Sequence, residues 1–173
     1  TAIPFLAGIQ KKKLIAIYSE GTIDRDLVEE GQRNLTDYFQ KKGFYDAHVT
    51  TEFQKQPDQI LVVYKIDRGK KHKVDRILFR GNYELSAKEL LAQVTVKKSH
   101  IWTHGSVSQK LLKQSAKNIE ALYRDHGYEE VKVKPTTVDR EPKIDVAFDI
   151  EEGTQTLVED MQVSGNQNVA YEQ

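Results

Sequence analysis

Apolar residues recur along this chain with two spacings, and the spacing switches at definite points. From Thr22 to Lys42, Val28, Leu35, Tyr38 and Phe39 fall three, four or seven apart, while Glu29, Glu30, Arg33 and Asp37 fill the opposite face. That pattern predicts an amphipathic helix. Gly43 ends it: with Gly43 at C′ and Phe44 at C″, Phe39 falls at C3, the aromatic contact expected of a Schellman ending. The period then changes to two. Ala47–Gln54 alternates, with Ala47, Val49, Thr51 and Phe53 on one side, and predicts a strand. QPDQ (56–59) turns the chain into Ile60–Ile66, an almost continuous apolar run that predicts a strand flanked on both edges and covered by helices. After Arg68–Lys73 a third strand is expected over Val74–Phe79, closed by Gly81-Asn82.

The helical period returns at Ser86. This serine is a candidate N-cap, with Glu89 completing a capping box and Leu85 and Leu90 forming a hydrophobic staple, for a helix to about Val94. An irregular KKSHIWTHG follows. Ser106, with Gln109, is expected to cap a second helix whose stripe is Leu112, Ala116, Ile119, Leu122 and Tyr123, ended by Gly127-Tyr128. Strands are predicted at Val131–Val138, Ile144–Ile150 and Val158–Val163. AIPFLAGIQKKKL, residues 2–14, reads as a short, poorly capped helix, with Pro4 limiting its start.

These elements repeat. Residues 43–82 superpose on 127–166 without a gap at an offset of 84. Gly43, Gly69, Gly81 and Asn82 fall on Gly127, Gly153, Gly165 and Asn166, and the aliphatic positions of the strands coincide. Such self-similarity marks a tandem supersecondary module. The expected division is 1–73, a module lacking its first strand, 74–157, a complete module, and 158–173, the start of a third. The strand missing from the first copy leaves an apolar edge on Ile60–Ile66, which Val158–Val163 of another molecule would fit, so a strand-exchanged homodimer is an expectation.

Composition narrows what the modules do. Twenty-six basic and 26 acidic residues cancel, so no net field steers the chain to nucleic acid or an acidic membrane. No run approaches a spanning helix. With no cysteine, disulfide and thiolate chemistry are excluded.

A βααββ unit whose first strand ends Phe79-Arg80-Gly81-Asn82, whose second helix ends Leu122-Tyr123-Arg124-Asp125-His126-Gly127-Tyr128, and whose last strand ends Ile150-Glu151-Glu152-Gly153 resembles a POTRA (polypeptide-transport-associated) domain. Such domains stand in tandem before the β-barrel of BamA-type outer-membrane assembly proteins. The resemblance covers nearly the whole chain. It implies an α+β fold of tandem modules, each a three-stranded mixed sheet covered on one face by two antiparallel helices. It also implies a periplasmic location in a parent anchored in the outer membrane. The partners implied are unfolded outer-membrane protein precursors and other assembly-machinery subunits. Pro135 argues separately that the middle strand lies at a sheet edge, giving the order first, last, middle.

Candidate sites follow from edges and linkers. An extended client can add a strand to an exposed edge. Val131–Val138 carries Pro135 with Lys132 and Lys134 beside it, which block pairing, so His48, Val49, Thr50, Thr51, Glu52 and Phe53 form the candidate client-binding edge. Arg68, Gly69, Lys70, Lys71, His72 and Lys73 form a candidate interdomain hinge. Its basic side chains could meet a phosphate, but read better as a solvated turn, because Glu151-Glu152-Gly153-Thr154 holds the equivalent place. His48, His72 and His126 read as surface residues, and His100 and His104 lack a third metal ligand. No phosphate loop, nucleophile elbow, zinc-protease motif or dinucleotide fingerprint is present, so no catalytic residue, metal or cofactor is read. The leading reading is a polypeptide-binding module acting by β-augmentation. The alternative is a scaffold docking partner proteins in a secretion transporter or cell-division complex. An RNA-binding role is disfavoured by neutral charge and the lack of a GxxG loop.

Overall fold

Residues 15, 24–57, 60–98, 105, 107–157 and 160 are described by the computed structural model. Among these residues the first helix, α1 (Arg25–Lys41), starts where the Asp24 side chain accepts from the Asp26 N–H, and it buries Val28, Leu35 and Phe39. Gly43, with φ of +95°, ends it. The Phe44 N–H donates to Phe39 O at 3.1 Å and the Gly43 N–H to Gln40 O at 2.9 Å, the two bonds of a Schellman motif. The strands β1 (His48–Lys55) and β2 (Ile60–Asp67) form an antiparallel hairpin with Val49 opposite Ile66. Val49 and Leu35 are its buried centre.

The second module is built on β3 (Lys73–Arg80), α2 (Ala87–Gln93), α3 (Gln109–Asp125), β4 (Lys132–Arg140) and β5 (Lys143–Glu151). Its sheet runs β3-β5-β4, with β3 parallel and β4 antiparallel to β5. This is the order that Pro135 indicates. Alternation puts Ile144, Val146, Phe148 and Ile150 of β5 on one face, all in the core with Leu112, Ile119 and Tyr123 of α3. On the other face Asp145 receives hydrogen bonds from Arg76 at 3.2 and 2.7 Å, and the Arg140 guanidinium lies 2.5 Å away. The Arg76 bonds, ahead of the Arg140 contact, hold its carboxyl down at about 2. Ser86 and Glu89 form the expected capping box, with Leu85 and Leu90 both buried beneath it.

The repeat is exact in register. Helices α1 and α3 begin and end 84 residues apart, and Gly127 repeats the Schellman ending through Tyr128 N–H to Tyr123 O at 3.0 Å. The stretch after each hairpin docks back alike: the His72 N–H donates to Gly43 O at 2.7 Å, and the Thr156 N–H to Gly127 O at 2.8 Å.

Three local expectations change. The cap of α3 is Ser108, whose Oγ accepts from the Leu111 N–H; the expected Ser106 lies outside the described residues. Ser108 is buried because it also donates across the module boundary, so a tertiary contact selects between two serines. Helix α1 starts at Arg25 rather than Thr22. Flanking on both edges is met by β5, whereas β2 has β1 alone beside it among the described residues, and its Ile60 and Leu61 are exposed. The helix read in residues 2–14, His100, Trp102, His104, the strand expected at 158–163 apart from residue 160, and Gly165 with Asn166 lie outside the described residues.

Candidate interaction edges and the interdomain seam

Among the described residues every strand but β5 has an open edge, and the two at equivalent places in the repeat, β1 and β4, present different backbone surfaces. On β4 the Val133 N–H donates to Glu120 Oε1 of α3 at 3.1 Å, so it points away from β5. Alternation turns the nitrogen of residue 135 the same way, and proline has no hydrogen there. Two successive donors of that edge are thereby withdrawn. On β1 the corresponding residues are Val49 and Thr51. Thr36 stands in the place of Glu120, and its hydroxyl donates to Gln32 O at 2.9 Å within its own helix. Thr51 keeps its N–H, while its side chain donates to Gln32 Oε1 at 3.0 Å. His48, Thr50, Glu52 and Phe53 are exposed, Val49 is buried and Thr51 half-buried. Phe53, 50% exposed, shares a face with Ile60 at the turn end of the hairpin.

The stretch Arg68–Lys73 is pinned at several points. The Arg68 guanidinium and Lys71 ammonium lie 5.3 and 5.7 Å from the centre of the Phe44 ring. Lys70 donates to Glu141 Oε2 at 2.9 Å, and that hydrogen bond raises the Lys70 pKa. The Lys73 N–H donates to Pro142 O at 2.8 Å. His72 is not on the surface. It is 3% exposed, because its anchored N–H turns the ring into the seam between the modules. There its Nε2 lies 3.2 Å from Asp139 Oδ1 and its Nδ1 lies 3.7 Å from Asp46 Oδ2.

Residues that sequence reading passed over complete this seam. Ser108 Oγ donates to Asp37 Oδ1 at 2.5 Å, and the Gln109 N–H to Gln40 Oε1 at 3.0 Å, so α1 side chains finish the cap of α3. Gln109 Nε2 donates to Tyr45 Oη at 2.7 Å, and Tyr45 packs against the core of the second module. One signal was available. At these places the repeat breaks, with Asp37, Gln40 and Tyr45 standing opposite Ala121, Arg124 and Glu129.

The structural motif residues serve the fold. Asn82 Nδ2 donates to Leu85 O at 3.0 Å, holding the turn that leads to α2. Glu152 Oε1 accepts from the Tyr83 and Glu84 N–H groups and from the Tyr123 hydroxyl at 2.8 Å. Burial, reinforced by that carboxylate, raises the Tyr123 pKa far above its ordinary value. Among the described residues no helix is long and apolar enough to cross a membrane.

Comparison with known proteins bears on the same two modules. The POTRA family model, described as a surface antigen variable number repeat, matches residues 11–69 and again 72–153. A relative from Nitratidesulfovibrio vulgaris, named outer membrane protein assembly factor BamA, is 28% identical over 134 residues, 73% of this chain and 17% of its own length. A putative outer membrane protein assembly factor from Treponema pallidum is 22% identical over 128 residues, 74% of this chain and 15% of its own length. The chain thus spans about a sixth of the length of these curated relatives. Among solved structures, the POTRA3-5 region of Haemophilus influenzae BamA covers 98% of this chain, which covers 70% of it, with a TM-score of 0.64 at 14% identity, a likeness of fold.

Proposed function

This chain belongs to the POTRA family, as tandem domains of the kind BamA-type factors carry, and from that premise we propose that it is a periplasmic receptor for unfolded outer-membrane protein precursors. The client adds a strand to the outer edge of β1, between His48 and Phe53. The observation that carries this reading is the contrast of edges: β4 has lost the donors of Val133 and Pro135 from its outer side, whereas β1 has a threonine at the proline's place and no carboxylate over Val49. Main-chain pairing supplies affinity without requiring one client sequence, and ordering an extended peptide keeps that affinity low. Phe53 and Ile60 offer apolar surface beside the strand for alternate client side chains. In the parent protein, a C-terminal β-barrel in the outer membrane would receive the client. Arg68–Lys73 serves as the place where the angle between modules is set.

The test transplants the second module's block into the first. Thr51→Pro puts proline at the position equivalent to Pro135. Binding of a fluorescent, unfolded β-barrel-strand peptide is expected to weaken by about tenfold, the equivalent of ~1.4 kcal/mol, while circular dichroism stays unchanged. Unaltered affinity would remove β1 from the mechanism.

A second reading, a scaffold docking folded partner subunits, is favoured by the polar seam of Ser108–Asp37 and Gln109–Gln40, which fixes one module against the other. Under it, Thr51→Pro leaves capture of a folded partner intact and disruption of the seam abolishes it.

A further inference from the structure

We propose that Asp46, His72 and Asp139 form a site for a divalent transition-metal ion that ties the first module to the second. The ring of His72 is buried, with its own backbone N–H held by Gly43 O. Its Nε2 sits 3.2 Å from Asp139 Oδ1, a distance at which the ring N–H donates to the carboxylate. With the proton on Nε2, Nδ1 carries a lone pair. That nitrogen is buried and has no hydrogen-bond partner, and it faces Asp46 Oδ2 at 3.7 Å.

Two acceptors facing each other repel, and a buried acceptor without a donor is destabilising. A cation between them removes both problems. The 3.7 Å separation is too long for an N–H···O bond, which spans about 2.7–3.2 Å. It suits two ligands of one ion, since bonds of about 2.0–2.2 Å at a tetrahedral zinc place neighbouring ligands ~3.4 Å apart, and more in an open geometry. Imidazole nitrogen with carboxylate oxygen is the donor set of zinc and its neighbours. A carboxylate that holds the other ring N–H, as Asp139 does, is the usual means of orienting a metal-binding histidine. One ligand atom from each of the three residues lies within 4.8 Å of the others. The Asp46 side chain is 54% exposed, so its carboxylate can turn onto the ion and water can complete the shell.

The parts come from three places: the ligands are Asp46 from the loop before β1 and His72 from the linker, and Asp139 of β4 holds the ring that presents Nδ1. An ion bound by Asp46 and by a His72 ring held on Asp139 therefore fixes the angle between modules. The neighbouring cation Lys70 is engaged by Glu141 and does not compete for the site's carboxylates. The arrangement belongs to this junction alone among the described residues, because Glu130 and Thr156 occupy the equivalents of Asp46 and His72.

The experiment is calorimetric titration of tag-free, chelator-stripped protein with zinc chloride at neutral pH, with cobalt(II) absorption as a second readout. One saturable ion per chain is expected. Asp46→Asn, an exposed change that spares the fold, should weaken binding at least tenfold, and Asp139→Asn by about 10–100-fold. Glu29→Gln, in the exposed pair with Arg33 on α1, should leave zinc affinity unchanged. Spin labels on α1 and α2 should show a narrower distance distribution with zinc. Absence of saturable binding at millimolar zinc, or full affinity in Asp46→Asn, overturns the proposal. So does nuclear magnetic resonance showing both His72 nitrogens protonated and indifferent to zinc, since a proton would then fill the gap.

Discussion

Where the second module buries Tyr123 and Phe148, the first has Phe39 and Tyr64 at the same two places. The hydroxyl has moved from helix to strand. In the second module the Tyr123 hydroxyl donates to Glu152, and Ser115 on α3, buried, donates to Leu111 O and accepts from the Thr95 N–H. In the first, the Tyr64 hydroxyl donates to Val28 O at 3.1 Å, and the position of Ser115 is Gly31, where an added Cβ would lie 2.6 Å from that oxygen. The place of Glu152 is taken by Arg68, which lies over Phe44 where the second module has Tyr128. Each copy thus satisfies its hydroxyl with a different acceptor and changes a neighbour to suit, as burial of a polar group requires. The repeat keeps backbone register and side-chain volume; the polar partners are local solutions that transfer only in pairs.

The largest test of this comparison removes volume rather than polarity. Tyr123→Ala is expected to cost about 3–5 kcal/mol, and Phe39→Ala a similar amount in its own module, because both fill the shared core position. Urea midpoints of the two transitions measure this. Comparable loss in both modules supports the equivalence, and a small loss in either breaks it.

Next in size is the exchange of partners. Gly31→Ser should destabilise the first module by about 1–3 kcal/mol through overpacking against the Tyr64 hydroxyl. Adding Tyr64→Phe, which recreates the second module's pair, should recover most of that loss. A double-mutant cycle without favourable coupling would show that the two positions are independent.

A smaller effect concerns the edges. Glu120→Thr with Pro135→Thr gives β4 the residues of β1, and the expected result is a second peptide-binding edge. Stoichiometry by calorimetry should rise from one peptide to two, and a stoichiometry of one would mean that donors alone do not make an edge receptive.

The smallest is acid sensitivity. Arg76 and Arg140 hold the Asp145 carboxyl at about 2, below the ordinary aspartate value near 3.9. A depressed folded-state value means the contribution is fully present above the ordinary value and is lost as pH falls from about 4 toward 2. Leu61 occupies this place in the first module, so acid should weaken the second module selectively. Asp145→Asn should flatten the decline in thermal midpoint between about pH 5 and pH 2.5.

Local chemistry was legible without coordinates. Both Schellman endings, the Ser86 capping box and the strand order signalled by Pro135 stand as the spacing predicts, because each depends on residues within one or two turns or on a single missing N–H. Part of the candidate edge was legible too, since alternation and proline mark which strands lie outermost. The Glu120 bond to Val133 was not, because it joins a helix to a strand 13 residues away by a side-chain rotamer.

By itself, then, the sequence determined the module, its 84-residue period, both Schellman endings, the Ser86 cap and the central place of β5, all consequences of periodicity and backbone stereochemistry. What only the tertiary structure decided lies between the copies. It chose Ser108 as the cap of α3, because Asp37 and Gln40 of the other module complete that helix end. It buried His72, which reads as one more polar residue in a basic linker, and set it between carboxylates 26 and 67 positions away. Seam contacts of this kind carry no period and no fixed spacing, since they depend on how two rigid bodies meet, and that is settled by surfaces rather than by neighbours in the chain.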